Sequence, residues 1–456
     1  MMPEDTIAAI STALGESALA VIRLSGARAF EVADHLFAPA SGSAVKPSQA
    51  ASHTLHYGHF LRRGKVIDEV MLAILRAPRT FTREDTVEVS CHGGILIAKL
   101  VLDACLEQGA RLAMPGEFTK RAFLNGRIDL TQAEAVADLI QSRTELALVA
   151  ANQQLAGKLS QRIHHLRDDL MKALAHIEAH IDFPDEDIAP ATVQNLLLSL
   201  EQAVAGIGAL LATAPEGQLL RRGIRAAIVG RPNVGKSSLL NQLLGHERAI
   251  VSAEPGTTRD TIEETANVRG LPVVFVDTAG LRDSADAVER EGVRRSHQTL
   301  GRAELVLHVL DQSSPLTAAD HDHLKRFADK KRILVLNKSD LPAQVALPVT
   351  DVRFIRLSCV TGEGLEALKD AIKDLIWAGE ISSEMLDVMI NSRHQATLSR
   401  AAQALGLAIA SLRAGVSLEL VAVDLRSAVN AVGEIVGKTS TEDLLDSVFG
   451  QFCIGK

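Results

Sequence analysis

A glycine-rich segment in the middle of the chain has the residue types needed to hold a phosphate chain. Residues 230–237 read GRPNVGKS, which fits the pattern G-x-x-x-x-G-K-[ST]. A β-branched run at 224–229 precedes the segment and an apolar stretch at 238–244 follows it, so a strand, a loop and a helix are predicted in that order. Glycines let successive backbone N–H groups point at phosphates, and a helix N-terminus adds positive potential. We therefore predict that Lys236 contacts the β- and γ-phosphates and that the Ser237 hydroxyl binds Mg²⁺.

Three further motifs follow in the order that a GTPase requires. Residues 277–280, DTAG, end a predicted strand; the aspartate would hold Mg²⁺ through water and the glycine N–H would sense the γ-phosphate. Residues 337–340, NKSD, end another strand, and the carboxylate of Asp340 can accept both guanine N1–H and the exocyclic amine. Residues 358–360, SCV, follow a short run at 354–357 and would close over the base. Each motif alone is common by chance, but the ordered set predicts GTP binding.

These motifs do not identify the residue that orients the attacking water. Leu281 stands where a Ras-type enzyme has a glutamine, and a leucine cannot hydrogen-bond to water. The acidic candidate downstream is Glu289, with Asp283 and Asp286 as nearer alternatives, and a solvated carboxylate at a helix start is the other interpretation of Glu289. The side-chain oxygen of Asn233 can bind a monovalent cation beside the phosphates, which would supply positive charge there.

The segments that must position these motifs are of two kinds, helical in composition or built from short apolar runs. On either side of the central region the composition is helical, at 131–181, which has no proline and one glycine, and at 192–211, 398–414 and 418–434, with a linker predicted at 212–217. In the central region, short apolar runs alternate with helical stretches and indicate a mostly parallel sheet, with strands at 224–229, 273–276, 305–310 and 333–336. The N-terminal part mixes strands at 18–24 and 70–75 with a helix at 95–106. We predict a βα domain inserted into a helical bundle.

Length and composition limit the classes of protein to which the chain can belong. The chain has 456 residues, which predicts about three domains, and its 47% hydrophobic content excludes a disordered chain. A net charge of -8 with 12 Phe, 1 Tyr and 1 Trp disfavours a stacking-based single-strand binder. The 4 cysteines lack CxxC spacing, so neither a disulfide framework nor a zinc ribbon is indicated. We see no signal peptide and no apolar run near the ~20 residues that span a bilayer, and expect a reducing, cytoplasmic location.

The central motifs carry a family resemblance. The segments GRPNVGKSSLLNQLLG (230–245), EPGTTRD (254–260), DTAGLRD (277–283) and NKSD (337–340) resemble the Era/MnmE-like group of translation-factor-class GTPases. Segments outside this region narrow the resemblance to the MnmE (TrmE) family of tRNA-modification GTPases: FTRED (81–85), HGG (92–94), PGEFTKRAFLN (115–125), IDFPDE (181–186) and FCIGK (452–456). Essentially the whole chain is covered.

The resemblance implies an α/β plus α fold with a three-part architecture. An N-terminal α+β folate-binding and dimerisation domain, similar to the tetrahydrofolate domain of the glycine-cleavage aminomethyltransferase, would occupy residues 1–125. A discontinuous helical bundle would be built from residues 126–216 and 379–456. A Ras-like P-loop G domain would be inserted between these helical parts, at residues 217–378.

The resemblance also implies an activity, cofactors and partners. Family members are K⁺-dependent GTPases that form homodimers and a heterotetramer with the flavoprotein MnmG. Together the two proteins add an aminomethyl or carboxymethylaminomethyl group at C5 of the wobble uridine of certain tRNAs, using a folate one-carbon unit. The cofactors implied are GTP, Mg²⁺, K⁺ and a tetrahydrofolate derivative, with FAD and NADH through the partner flavoprotein. The alternatives are a GTP-switched binding module in ribosome assembly without modification chemistry, and an independent folate-dependent methyltransferase.

Site residues follow from the resemblance position by position. Mg²⁺ ligands would be Ser237 and Thr258, and Glu289 would orient water indirectly as the catalytic glutamate. K⁺ would be held by Asn233 and by the loop containing Ser252, Glu254 and Thr257. Folate contacts fall on Arg23, Glu88, Arg127 and Lys456. The full set of GTP contacts is Asn233, Val234, Gly235, Lys236, Ser237, Ser238, Ser252, Ala253, Glu254, Pro255, Gly256, Thr257, Thr258, Asp277, Thr278, Ala279, Gly280, Asn337, Lys338, Asp340, Ser358, Cys359 and Val360.

Two segments depart from the family pattern, and one cysteine lies in the family's C-terminal motif. The family's Gly/Pro-rich stretch before the first long strand reads STALGES here, at 11–17, which changes the folate contacts expected from that loop. The Glu254-Pro255 pair lies within the predicted potassium loop and bears on its flexibility. Cys453 belongs to the C-terminal FCIGK tail, which approaches the folate site in the family, so we predict a catalytic role; its chemistry stays open.

Overall fold

A computed structural model of the protein describes residues 5–40, 46–182, 190–245, 263–276, 303–347, 352–377 and 383–456. The chain divides into two compact units, Met1–Ala137 with Asn430–Lys456, and Asp138–Val429. The first unit therefore joins the N-terminal region to the C-terminal end of the chain, and the second contains helices together with the central βα region. The four segments expected from the sequence, with borders at 125/126, 216/217 and 378/379, remain a prediction.

The first unit is built on a seven-stranded sheet with strand order β3-β4-β5-β6-β2-β1-β7. Neighbouring strands are antiparallel except for β1 and β7, which are parallel. Helices α1 and α2 cover one face, where Ile22, Leu72 and Val89 are buried. The predicted strands at 18–24 and 70–75 and the helix at 95–106 are confirmed with slightly wider bounds. The elements are β1 Ile7–Ile10, β2 Ser17–Ser25, α1 Ala29–Leu36, β3 Phe37–Pro39, β4 Thr54–Arg62, β5 Lys65–Leu75, β6 Thr86–Gly93, α2 Ile95–Glu107, β7 Arg111–Leu112 and α3 Glu117–Leu124.

The helical composition predicted at 131–181 is confirmed, but this proline-free segment forms three separate helices. Thr144 has an extended backbone and its side chain accepts a hydrogen bond from Ala147 N at 3.3 Å, which starts a new helix. Gly157 has φ +86°, a conformation that side-chain-bearing residues rarely adopt, and it separates the next two helices. Helix-favouring composition does not reveal such local breaks. The helices are α4 Leu130–Gln141, α5 Glu145–Leu155 and α6 Lys158–Asp182.

Helices α7 (Pro190–Leu211) and α8 (Ala214–Arg222) complete this part of the second unit. The linker predicted at 212–217 was too long, because Pro215 lies in the first turn of α8, where its missing N–H costs nothing. The buried residues of α7 lie three or four positions apart, as expected of a bundle helix: Leu196, Leu200, Ala203, Ile207 and Leu210.

Among the described residues, one helical stretch, Val193–Arg222, is long and apolar enough by length and composition to cross a membrane. It contains an 18-residue window with a mean hydropathy of 1.6. The expectation that no apolar run approaches this length was too strict. Buried residues make up 33% of that window, and core helices of soluble proteins have the same properties.

The central region forms a six-stranded sheet with strand order β13-β12-β11-β8-β10-β9. All neighbours are parallel except β9, which is antiparallel to β10. The predicted strands are confirmed, that at 224–229 without change of bounds. Apolar clusters cover both faces of the sheet. The elements are β8 Ile224–Val229, α9 Lys236–Leu244, β9 Glu264–Val268, β10 Leu271–Phe275, β11 Leu305–Asp311, α10 Ala318–Arg326, β12 Lys331–Asn337, β13 Phe354–Arg356 and α11 Leu365–Ile376.

The chain then returns to helices. Helix α13 packs along α7, so the helical segments before and after the sheet contact each other. The predicted helices at 398–414 and 418–434 are confirmed. The elements are α12 Ser383–Asp387, α13 Ser392–Arg413, α14 Leu418–Ile435 and α15 Glu442–Phe449.

Candidate functional site

Four segments meet at one edge of the six-stranded sheet. Strands β8, β11, β12 and β13 are parallel neighbours, so their carboxyl ends lie on the same side. Ligands of open α/β sheets bind at this edge. The residues that follow or end these strands are Gly230, Asp311, Asn337 and Ser358. The sheet therefore brings together the motifs predicted at 230–237, 337–340 and 358–360.

The phosphate loop has the backbone that its sequence requires. Gly230, Asn233 and Gly235 have φ values of +148°, +63° and +101°. A Cβ on Gly230 would lie 2.3 Å from the Val309 carbonyl oxygen, so this position excludes any larger residue. Helix α9 begins at Lys236, and its N-terminus therefore lies at the end of the loop. This arrangement suits an anion.

The side chain of Lys236 lies inside the loop. Its Nζ donates to the carbonyls of Gly230 at 2.9 Å and Arg231 at 2.8 Å. Burial lowers the pKa of Lys236, because the surroundings disfavour its charged form. A phosphate beside the ammonium would reverse that effect, so the residues fit a nucleotide phosphate. Ser237 and Ser238 occupy the first turn of α9 and are exposed.

Asn337 connects the phosphate loop to the third segment. Its Nδ2 donates to the Val234 carbonyl at 2.8 Å, and its Oδ1 accepts from the Cys359 N–H at 3.1 Å. The side chain is buried. A Cβ on Gly235 would lie 2.1 Å from Asn337 Nδ2, so this glycine is needed for the close approach. Asn337 therefore holds together two segments that are predicted to contact the ligand.

Lys338 and Asp340 follow on the same turn. Lys338 Nζ lies 2.6 Å from Asp311 Oδ2. Burial opposes ionisation of Asp311, but hydrogen bonds from Lys338 and Ser313 outweigh it and lower the pKa of this carboxyl. Asp340 is exposed at the open side of the edge. Sequence reasoning missed Asp311; the available signal was an acidic residue ending a buried strand at the ligand edge.

The segment 358–360 is a tight turn. The Ser358 hydroxyl accepts from the N–H groups of Val360 at 3.2 Å and Thr361 at 3.3 Å. Burial raises the pKa of the Cys359 thiol to about 11, which favours the neutral thiol at physiological pH. Val360 is 85% exposed.

Part of the predicted site lies outside the described residues. These positions are Ser252, Ala253, Glu254, Pro255, Gly256, Thr257, Thr258, Asp277, Thr278, Ala279, Gly280, Leu281, Asp283, Asp286 and Glu289. Ser237 is the one predicted Mg²⁺ ligand within the described residues. Asn233 is the one predicted potassium ligand within them. Across the described ranges, no group of three or more His, Cys, Asp or Glu residues is placed to hold a metal ion.

A second group of predicted residues meets in the first unit. Arg23 and Glu88 are directly opposite each other on β2 and β6, with Arg23 Nε 2.8 Å from Glu88 Oε1. The Arg23 guanidinium lies over the rings of Phe118 at 5.6 Å and Phe81 at 5.9 Å. The guanidinium of Arg127 lies 5.0 Å from the centre of the Phe81 ring. These charged and aromatic groups form a site that suits an aromatic ligand carrying carboxylates.

The C-terminal tail packs beside β1 in the same unit. Gly116 N donates to the Cys453 carbonyl at 3.4 Å, and Ser11 Oγ donates to the Gly455 carbonyl at 3.1 Å. The terminal Lys456 therefore lies next to the end of β1, whose Ala9 is opposite Arg23. Cys453 is exposed, whereas Phe452 beside it is buried.

The recognisable segments FTRED and PGEFTKRAFLN are joined by an ion network that sequence reasoning missed. Arg121 is 3% exposed and contacts Asp5 at 2.7 Å, Glu84 at 3.2 Å and Glu117 at 3.0 Å. Asn125 Nδ2 donates to the Thr82 carbonyl at 2.6 Å. This network fixes α3, and with it Phe118, against the sheet. Asp5 and Glu84 are far from Arg121 in sequence, so spacing gave no signal for these two contacts.

Comparisons with known proteins match nearly the whole chain. The family model for the GTP-binding protein TrmE N-terminus matches residues 6–127, and the model for the MnmE helical domain matches residues 130–453. The tRNA modification GTPase MnmE of Geobacillus kaustophilus is 48% identical over 460 residues, covering 99% of this chain and 99% of the relative. The protein of the same name from Bacillus mycoides is 48% identical over 463 residues, covering 100% of both. Among solved structures, the G domain of the T. maritima FeoB iron transporter is 27% identical, covers 33% of this chain and 98% of its own, and has a TM-score of 0.25.

Proposed function

The chain belongs to the MnmE family of tRNA modification GTPases, and on that premise we propose that it is a K⁺-dependent GTPase working with the flavoprotein MnmG. It is a GTP hydrolase that acts in tRNA modification. With MnmG it adds an aminomethyl or carboxymethylaminomethyl group at C5 of the wobble uridine of certain tRNAs. The one-carbon unit comes from a tetrahydrofolate derivative, and FAD and NADH act through the partner.

The observation that carries the proposal is that one chain contains two separate groups of residues, each suited to a different ligand. The phosphate loop, Asn337 and Asp340 lie at one sheet edge and suit GTP. In the first unit, Arg23 and Arg127 lie over the Phe81 ring and Glu88 pairs with Arg23, and that arrangement suits a folate. A ribosome-assembly switch needs the first site and has no use for the second.

In GTP hydrolysis, we assign binding to the loop amides and Lys236, and guanine selection to Asp340. Mg²⁺, bound by Ser237 and Thr258, would neutralise charge on the β- and γ-phosphate oxygens. K⁺, held by Asn233, Ser252, Glu254 and Thr257, would add the positive charge that an arginine finger supplies elsewhere. Glu289 would orient the attacking water indirectly.

In folate binding, Glu88 would accept hydrogen bonds from the pterin ring while Phe81 packs against it. Arg127 and Lys456 would pair with the folate carboxylates. The exposed Cys453 lies in the tail that packs beside β1, which supports a catalytic role close to this site.

The sheet face that carries Arg23 also supports the proposed homodimer. Register places Leu55 and Ala73 in the same cross-strand row as Glu88 and Arg23. On this face Leu55 is 65% exposed and Tyr57 is 52% exposed. Exposed apolar groups of this kind mark association surfaces. We propose that two copies associate through it and that a heterotetramer forms with MnmG in the cytoplasm.

Substrate tRNA requires positive surface that this chain, with a net charge of -8, does not supply broadly. We infer that MnmG provides much of the tRNA-binding surface. If this chain alone bound tRNA as tightly as the complex does, that inference would fail.

Nucleoside analysis of tRNA from a deletion strain tests the modification. We expect loss of the C5 group on the wobble uridine and its return on complementation. An unchanged wobble uridine would favour the ribosome-assembly switch, and modification without MnmG would favour an independent folate-dependent methyltransferase.

Hydrolysis assays test the cation and the glutamate. GTP turnover should be much faster in K⁺ than in Na⁺, and equal rates would refute the potassium assignment. Glu289→Ala should keep nucleotide affinity and lose turnover, whereas Asp283→Ala and Asp286→Ala should retain turnover. If either aspartate variant lost turnover while Glu289→Ala retained it, the water-orienting role would belong to that aspartate.

A further inference from the structure

The segment 311–320, which joins β11 to α10, lies between the two halves of the nucleotide site. Strand β11 ends at Asp311, and α10 begins at Ala318. On one side β11 is hydrogen-bonded to β8, which precedes the phosphate loop, and on the other to β12, which precedes Lys338. Because the segment leaves the sheet between these two strands, it can contact both halves of the site. None of the predicted nucleotide motifs includes it.

On the guanine side, Asp311 holds the side chain of Lys338. Lys338 Nζ lies 2.6 Å from Asp311 Oδ2, and the Asp311 side chain is 12% exposed. The other carboxylate oxygen of Asp311 accepts from Ser313 N at 2.9 Å and from Ser313 Oγ at 2.6 Å. The position of the carboxylate is therefore set by its own turn, and the carboxylate in turn sets the position of the ammonium.

The backbone of Lys338 also depends on its surroundings. Lys338 has φ +66°, a left-handed conformation that costs free energy in a residue with a side chain. Gln312 N donates to the Asn337 carbonyl at 2.9 Å, so the segment 311–320 binds the backbone directly before this residue as well. Contacts from one segment therefore support both the backbone and the side chain of Lys338.

On the phosphate side, the same segment holds the side chain of Arg231. Arg231 Nη2 donates a short hydrogen bond to Ser314 Oγ. Its Nε lies 3.7 Å from Asp320 Oδ2, and the Asp320 side chain is 1% exposed. The backbone carbonyl of Arg231 accepts from Lys236 Nζ at 2.8 Å. The anchored arginine is therefore part of the loop that holds the phosphate-binding lysine.

Asp320 has a second structural task, which limits how it can be tested. Its Oδ2 accepts from Thr317 N at 2.9 Å and from Thr317 Oγ1 at 2.8 Å, and these contacts cap α10. Among the described residues, its Oδ1 is buried without a hydrogen-bond partner. A buried carboxylate costs free energy unless a cation compensates it, and Arg231 is placed to do so.

We propose that the segment 311–320 positions the bound nucleotide from both sides. Asp311 holds Lys338, next to the guanine-selecting turn, and Ser314 and Asp320 hold the phosphate loop through Arg231. These residues act through their partners and are not catalytic. The inference rests on the GTP binding proposed above. A parent chain that binds no GDP would refute that function, whereas GDP binding that ignores this segment would refute only the inference.

Titration of the full-length chain with GDP tests both contacts. Asp311→Asn and Asp320→Asn should each weaken binding about tenfold, because each removes the charge that holds a cationic side chain of the site. Asparagine keeps an oxygen for the donors of Ser313 and Thr317, so the turn and the helix cap should remain. The matched control is Asp374→Asn, which breaks an exposed ion pair in the same unit and should bind GDP as the parent does.

Double-mutant cycles separate positioning from a general loss of packing. In a chain that carries Lys338→Met, Asp311→Asn should change the Kd for GDP by less than about twofold, because its partner is already absent. Asp320→Asn should behave in the same way in a chain that carries Arg231→Met, whereas Arg231→Lys alone keeps the cation and should retain most of the affinity. If Asp320→Asn does not fold, Ser314→Ala takes its place. Additive losses in either cycle, or parent-like GDP affinity in either single variant, would overturn the proposal.

Discussion

The side-chain Nδ2 of Asn337 donates a hydrogen bond of 2.8 Å to the backbone carbonyl of Val234. The same side chain accepts from the Cys359 N–H, so one buried amide joins the phosphate loop to the segment that is predicted to close over the base. The phosphate and guanine ends of the site are therefore not independent, and changes at this residue should affect the binding of the whole nucleotide.

Replacing Asn337 with alanine should weaken GDP binding about tenfold to 100-fold. The change leaves the Val234 carbonyl and the Cys359 N–H without their partner, and each buried unsatisfied group costs about 1–3 kcal/mol. Isothermal titration with GDP measures the effect. Asn241→Ala, at an exposed position of α9, is the control and should bind as the parent does. Equal affinities in both variants would contradict the joining role.

Changing Asp340 to asparagine should shift the base preference from guanine to xanthine. The carboxylate accepts two hydrogen bonds from guanine, whereas an amide can accept one and donate one to the xanthine C2 carbonyl. We expect GDP affinity to fall by about 100-fold or more and XDP affinity to rise. A competition assay between GDP and XDP measures the change in base preference. Asp322→Asn on exposed α10 should keep guanine preference, and a variant of Asp340 that still prefers GDP would contradict the assignment.

The Arg23→Met substitution should weaken tetrahydrofolate binding by about tenfold or more without changing GTP turnover. It removes the partner of Glu88 at 2.8 Å and the cation over Phe118, leaving a carboxylate unpaired. Titration with formyl- and methylene-tetrahydrofolate measures the loss. Arg28→Met serves as the control, because Arg28 pairs with Glu31 on the exposed surface. Retained folate affinity in Arg23→Met would move the folate site elsewhere.

Acid should destabilise the second unit through His308. Burial lowers the pKa of this histidine from 6.5 to about 4, with His323 and Arg332 adding to the effect and Asp320 opposing it. Between these two values the unfolded chain binds a proton that the folded chain does not, so stability present above pH 6.5 is lost as pH falls toward 4. The loss between pH 7 and pH 5 should be about 2 kcal/mol.

Urea unfolding at pH 7 and pH 5 checks this expectation. His308→Leu should lose about 2 kcal/mol less than the parent on acidification, since the titrating group is absent. His321→Leu, on the exposed side of α10, should behave as the parent does. The same pH dependence in the parent and in His308→Leu would show that His308 is not responsible.

Much of the fold followed from local patterns. The strand at 224–229 was predicted to the residue, because an apolar β-branched run between a glycine and a loop has few alternatives. The breaks near Thr144 and Gly157 were missed, since one capping side chain and one backbone angle do not change the average composition of a segment. The start of α8 was missed because Pro215 indicates a linker as readily as a first helical turn.

The sequence by itself determined the fold class and the residues of the phosphate loop, since spacing, glycines and strand-helix order are local properties. It also determined the family, which the full-length relatives support. Tertiary structure alone decided that Asn337 holds Val234 and Cys359 and that Arg23 faces Glu88 beside Phe81 and Phe118. It alone placed Leu146 against Gly270. These contacts join residues far apart in the chain, and they depend on sheet register and side-chain packing, which no spacing encodes.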